Sequence, residues 1–322
     1  MAPDPGALGS GLGPTQHGTG TWQFRASLTQ GFGFDGSHVE NHGIDVNGDV
    51  IEVPEHNHEV ELDISRVLLQ FDYTFEEPWG VRWRIPLERK SRVSALGSIQ
   101  PGATAEEIEA MERNLQAHHA TRNLTGFGDA DVLLAWHGHD WGKEGATFAL
   151  AAGTTVPLGR TEENPYAAGD AGEIHEHIQL GSGTYDPLVE FFYSRPLGDD
   201  AFLNSFGKGR FPGTENDEGY RAPRTVDLGV GYFKPIGAFG PWEDAHGNIA
   251  LLYQEQGRAF WDGEIDPNTG FETVSASIGI SWQDEDMHGW TLSLVVPISI
   301  DTPDVSSGVY EPGPIFSLGV GF

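Results

Sequence analysis

The chain has 322 residues, with 18 basic against 48 acidic side chains, a formal net charge of −30 and no cysteine. Such a surface repels nucleic acid and anionic head groups and attracts cations, and the lack of cysteine excludes disulfides, thiolate metal sites and thiol catalysis. A mean hydropathy of −0.34, with no unbroken apolar run of about eighteen residues, excludes a membrane-spanning helix but not a barrel, whose strands are apolar only at every second residue.

Many short segments rich in the 44 Gly, 18 Phe, 9 Trp and 8 Tyr point to an all-β architecture. Residues 1–19, rich in Gly and Pro, read as a flexible periplasmic lead or partial plug. The start from Met1 to Gly6 reads as a processed amino terminus, its signal peptide removed and a start methionine added. Strands are then expected at 20–33, 59–75, 79–90, 127–138, 145–157, 183–195, 199–210, around 226–232, 248–260, 274–282, 290–300 and 313–322. The alternation is clearest near the carboxy terminus. There Trp290, Leu292, Leu294, Val296, Ile298 and Ile300 oppose Thr291, Ser293, Val295, Pro297 and Ser299, as a lipid face opposes a lumen face. Several apolar faces finish in Trp or Tyr, where an interfacial aromatic girdle belongs. The segment 59–75 switches phase between Val60, Leu62, Ile64 and Val67, Leu69, Phe71, Tyr73, Phe75, which predicts a β-bulge near Ser65 and Arg66.

The pattern describes one domain, residues 20–322, forming a transmembrane antiparallel up-and-down β-barrel of twelve strands. Long connections at 34–58, 91–126, 158–182, 211–224, 261–270 and 301–312 alternate with short turns at 76–78, 139–144, 196–198 and 283–289, and 235–247 is a longer inner connection. Long loops then lie outside the cell, with short turns and both termini on the periplasmic side. Thr104 to Glu107 forms a capping box, and Ile108, Met111 and Leu115 follow at helical spacing up to Gln116. This helix either folds into the pore mouth or shields the rim.

Opposite the apolar positions, the lumen face carries Arg66, Gln70, Asp72, Arg82, Arg84, Glu88, Asp129, Asp131, Glu190, Asp227, Gln254 and Arg258. A charge on the lipid face would cost roughly 2–4 kcal/mol at mid-membrane, so these side chains point inward. Arg82 and Arg84 are expected to pair with Asp72, one hairpin away. The set either braces a narrow barrel or forms a constriction that sorts solutes. Eight of 13 histidines fall in expected outer loops: His38, His42, His56, His58, His118, His119, His175 and His177. With neighbouring carboxylates they are either decoration of polar loops or ligands for Zn, Cu or Ni. His137 and His139 belong with the periplasmic rim. The chain holds no G-x-S-x-G, H-E-x-x-H or glycine-rich phosphate loop, so no catalysis is expected, and Zn or Cu at the outer loops is the one cofactor suggested.

Three segments carry a family likeness: Gly126 to Asp129, Leu180 to Pro187, and the aromatic closing strand Pro314 to Phe322. With them the chain from about residue 20 onward resembles the outer-membrane transporters labelled as belonging to the meta-pathway of phenol degradation. The resemblance implies a small-solute channel, with aromatic compounds among its solutes, in the outer membrane of a Gram-negative bacterium. Terminal Phe322 resembles the signal read by the barrel-assembly machinery. The expected partners are that machinery, the bilayer with its lipopolysaccharide, and a small solute, with no nucleic acid. Metal capture by the histidine-rich loops is the alternative function, and a sealed structural barrel or an outer-membrane enzyme a lesser one.

Overall fold

The computed structural model describes residues 19–140, 142, 144–170, 173–198, 200–239, 242–283, 288–302 and 308–322. The expected amino-terminal lead therefore lies, but for Thr19, outside the described residues. The barrel strands are β1 (Thr21–Ile44), β2 (Val50–Glu76), β3 (Trp79–Ile99), β4 in two parts (Arg122–Phe127 and Ala130–His139), β5 (Thr147–Val156), β6 (Pro187–Leu197), β7 (Ala201–Arg210), β8 (Thr225–Phe239), β9 (Trp242–Gln256), β10 (Phe271–Gln283), β11 (Gly289–Asp301) and β12 in two parts (Gly308–Glu311 and Ile315–Gly321). Each pairs antiparallel with the next, and β12 returns to β1, with Arg25 opposite Gly321 and Asp35 opposite Glu311. The Phe322 amide donates to the Phe24 carbonyl at 2.8 Å, so the last residue closes the cylinder. A second sheet of Tyr220–Arg221, Phe260–Trp261 and Glu264–Ile265 ties the outer loops together. Among the described residues no helix is long and apolar enough to cross a membrane.

The apolar faces form an exposed belt that includes Leu28, Val67, Leu134, Leu150, Leu251, Ile278 and Leu292. On the side of the short turns the belt ends in aromatic pairs, Trp22 against Tyr73 at 4.6 Å and Trp282 stacked on Trp290 at 6.3 Å. This is the outer-membrane pattern of a lipid-facing band with an aromatic edge.

Four expectations need correction. First, 34–58 is not a loop: β1 and β2 run on for 24 and 27 residues and turn only at 45–49, and β3 continues to Ile99. Spanning takes about 9–11 residues, so roughly half of this wall stands in water. Second, the phase change in β2 is not a bulge. Ser65 and Arg66 pair in unbroken register with β1 and β3. Val60, Leu62 and Ile64 face inward in the same phase as Arg66, while Glu59 and Glu61 face water. Above the lipid the polarity of the two faces inverts, which mimics a slip in sequence. The bulge sits instead in β1, where Phe32 and Gly33 together oppose Asp63. Gly33 has φ 59° and its amide donates to Asp63 Oδ1 at 2.9 Å, a conformation that suits glycine. Third, 235–247 is not a long connection, because β8 and β9 stay paired out to Phe239 and Trp242. Fourth, the helix runs past Gln116.

That helix, α1 (Ala105–His119), starts with both halves of its capping box: the Glu107 amide donates to Thr104 Oγ1 and the Thr104 amide to Glu107 Oε2. Its apolar face buries Ala110 and Met111 against Ile51, Val53, Leu96 and Ile99. Leu96 lies opposite His58, on the inward face of the wall, so α1 folds into the mouth. A short helix, α2 (Pro165–Asp170), follows in the next outer loop.

Ile278 is 62% exposed, midway between Trp282 and Glu272 on β10. Replacing Ile278 by Arg places a charge in the lipid belt and is expected to destabilise the folded barrel by roughly 2–4 kcal/mol. Denaturant titration in lipid vesicles checks this, and an unchanged midpoint would contradict the assigned lipid face.

Candidate functional site: the lumen and the outer histidine cluster

The inner wall has two unlike halves. Strands β2, β3, β4, β6 and β7 carry long charged side chains, whereas β10, β11 and β12 offer small buried residues such as Thr273, Ser275, Ser277, Ser293 and Ser317. Arg82 Nε donates to Asp72 Oδ1 at 2.6 Å, its directly opposed partner, and Gln70 donates to the other oxygen of Asp72. Arg84 does not pair with Asp72. Its guanidinium bonds Glu190 and lies 3.3 Å from Asp131, and Lys208 approaches Asp131 at 3.4 Å. Arg82 also reaches Glu190, at 3.4 Å. Further out, Arg66 pairs with Glu88 at 2.7 Å, with Lys90 3.3 Å from the same carboxylate.

Asp129 and Arg258, also expected in the constriction, sit elsewhere, whereas Asp227 lines the inner cavity with Arg82, Arg84 and Glu190. Asp129 occupies the break in β4 and accepts from the Ser182 amide and hydroxyl and from Arg210, which also holds Asp186. This knot pins the 158–186 loop to the wall. Asp227 accepts from Gln254 at 2.9 Å. Arg258 lies beyond the end of β9 and donates to the carbonyls of Pro267 and Thr269, so it braces an outer loop instead of lining the barrel.

Sequence reasoning missed an apolar layer inside the barrel. Phe192, Phe206, Leu252, Val295 and Ile315 are buried together, with Phe34 packed against them. Several lie on faces whose other members are polar, as Phe192 follows Glu190 and Leu252 precedes Gln254, so averaging each face hid them. Next to the layer on the outer side is a cavity of about 320 Å3, walled by Phe34, Leu62, Ile64 and Ile315 among apolar groups and by Gln254 and Thr273 among polar ones. On the inner side a cavity of about 90 Å3 touches Leu252, Phe192, Arg82, Arg84, Glu190 and His137.

The histidines meet above the outer cavity, well beyond the lipid-facing part of the wall. His38 on β1, His56 and His58 on β2, His118 and His119 at the end of α1, and His175 and His177 on the loop before β6 form one cluster. His42 stays apart, exposed and paired with Glu40 at 2.9 Å. One ring nitrogen or more of His38, His58 and His119 lie within 4.8 Å of one another. Nε2 of His56 faces Nε2 of His58 at 3.2 Å, and Nε2 of His175 faces Nε2 of His177 at 3.1 Å. Behind each pair, Nδ1 of His56 bonds the Pro54 carbonyl and Nδ1 of His175 the Glu173 carbonyl. A carbonyl only accepts, so Nδ1 of His56 and of His175 carries a proton, and the tautomer that fits this contact turns the Nε2 lone pair toward the facing ring. Burial lowers the pKa of His58 to about 3 and of His118 to about 4, with adjacent imidazoles adding to the effect, and His38, His119, His175 and His177 are lowered for the same first reason. These six imidazoles are therefore neutral at pH 7.

A buried ion pair holds the loop in place. Glu176, between the two loop histidines, accepts from Arg92 at 2.6 Å, from Arg122 Nε at 2.7 Å and from the Ile178 amide at 2.9 Å. Arg92 also donates to the Ala120 carbonyl just past α1, and the His175 amide donates to the Ala117 carbonyl. Arg92 was missed because the strand was expected to stop at residue 90, although it continues the even-numbered face of Arg82, Arg84 and Glu88.

No family model matches the sequence, and neither does any curated protein. Among solved structures, an outer-membrane channel from Pseudomonas putida F1 superposes with a TM-score of 0.59, at 12% identity, over 99% of this chain and 98% of that one. The β domain of the Bordetella autotransporter BrkA gives 0.47 at 10% identity, covering 94% and 99%, and a Pseudomonas aeruginosa FadL homologue gives 0.40 at 10% identity, covering 93% and 90%. The chain is an outer-membrane β-barrel. At such identities the first of these likenesses supports the fold, and the chemistry has to come from the residues above.

Glu190 is bonded by Arg84 and approached by Arg82 and Lys208. Replacing it by Ala leaves buried guanidinium charge short of a partner, and the barrel is expected to lose about 3–5 kcal/mol. A midpoint within error of wild type in the same vesicle titration would show that Glu190 does not brace the lumen.

Proposed function

We propose that the protein is an outer-membrane channel for a small organic solute with an apolar body and a polar group, a description that monoaromatic compounds fit. The observation that carries this reading is the outer cavity. Its volume of about 320 Å3 is at the lower end of ligand sites, roughly 300–1,000 Å3, and its mixed lining is of the kind that binds such solutes. Phe34, Leu62, Ile64 and Ile315 would cover the apolar body while Gln254 or Thr273 bonds the polar group. The layer of Leu252, Val295, Phe192 and Phe206 then acts as the barrier to water and hydrated ions, and a solute crosses by parting these side chains. The charged groups beyond the layer offer partners to the polar group on the periplasmic side. The resemblance to the phenol-pathway transporters supports the same class of cargo, and the Pseudomonas putida structure, described as an outer-membrane channel, shares the fold.

Planar-bilayer recording with phenol as probe tests this reading. Wild type is expected to conduct ions weakly, Leu252→Ala to conduct more because it removes part of the layer, and phenol to reduce the current of the variant by occupying the cavity. If neither protein conducts and phenol does not bind either in detergent, the channel reading fails.

A further inference from the structure

The outer cluster has the composition and layout of a metal centre, and this holds whether or not the lumen conducts. We propose that His58, with its facing partner His56 and with His38 and His119 about it, binds a divalent transition-metal ion, Zn2+ or Cu2+, and that the facing pair His175 and His177 is an adjoining donor station. Three independent features point there. The first is distance. Two ligand nitrogens about 2.0–2.1 Å from one tetrahedral Zn2+ stand about 3.3 Å apart, and the facing Nε2 pairs stand 3.2 and 3.1 Å apart. Two neutral rings gain at most one hydrogen bond from such an approach, while a shared cation engages both lone pairs.

The second feature is orientation from behind. Metal-bound histidine donates its other ring N–H to a carbonyl or carboxylate, which fixes tautomer and ring angle. His56 and His175 make this contact with the Pro54 and Glu173 carbonyls. The third is donor surplus inside the protein. His119 Nε2 is buried and meets no hydrogen-bond partner among the described residues, although a buried polar atom is costly to leave unpaired. Neutral imidazole is the ligand form, and a set without thiolates or several carboxylates suits Zn2+ or Cu2+ over Mg2+, Ca2+ or Cu+.

Access and supply fit as well. His38, His119 and His177 line the outer cavity, which leaves an entry path and an open coordination position toward it. The net charge of −30 raises the local concentration of cations. The ligands come from β1, β2 and the end of α1, so a bound ion would cross-link the helix in the mouth to the wall it rests on.

The test uses the full chain, chelator-stripped in detergent. Calorimetric titration with Zn2+ at high salt is expected to show a tight site, weakened by more than about 100-fold in the double variant His58→Ala, His119→Ala, since even loss of an outer-shell partner costs about 10–100-fold. His42→Ala, outside the cluster, should bind like wild type. Co2+ should give the intense visible bands of a four-coordinate nitrogen site in wild type and in His42→Ala but not in the double variant. Heat-modifiable gel mobility shows that each variant is a folded barrel, and His58→Gln replaces the double variant if that one does not fold. Zn2+ binding that is weak and vanishes with salt, or that is equal in wild type and the folded cluster variant, overturns the proposal.

Discussion

Closure of the sheet in lipid is the constraint from which the rest follows. Hydrocarbon offers no hydrogen bonds, so every strand needs two neighbours, and the join of β1 to β12, completed by Phe24 and Phe322, supplies the last of them. Once the cylinder is closed, each strand has only an inside and an outside. The outside must be apolar across the membrane, so every charge within that depth is forced into the lumen.

The lumen meets that demand asymmetrically. Arginines and carboxylates from β2, β3, β4 and β6 pair across the interior, whereas β10 to β12 are lined by Ser and Thr. The same interior also holds an apolar layer, which interrupts the polar surface between the outer and inner cavities. A barrel filled in this way is stiff where the ion pairs are and has its soft section at the layer, where only dispersion and exclusion of water hold side chains together.

Above the lipid the constraint relaxes and the polarity of the wall turns over. Glu59 and Glu61 face water while Val60, Leu62 and the histidines face inward. The tall β1–β2–β3 wall gives α1 a surface to pack on, and the Arg92–Glu176–Arg122 ion pair draws the next loop onto the end of that helix. Imidazoles from separate parts of the chain thereby meet in a site with little solvent, where neighbours and burial keep them neutral.

Period-two alternation is a local property, and the sequence by itself determined what depends on it: twelve strands, their inward and outward faces, the closing role of the Phe322 strand, and the helix start at Thr104. Arg82 opposite Asp72 was legible too, because a hairpin register follows from its turn. Where β2 left the membrane the local signal reversed and read as a bulge, and the outer ends of β1, β2 and β3, at 34–44, 50–58 and 91–99, read as loop. Only the tertiary structure decided that Arg84 reaches Glu190 on β6, that Arg258 braces a loop, that Phe192 and Val295 share one layer, and that seven histidines converge while His42 does not. Those contacts join residues far apart in the chain. Their positions are set by barrel closure and by the path of the outer loops, neither of which leaves a periodic trace in sequence.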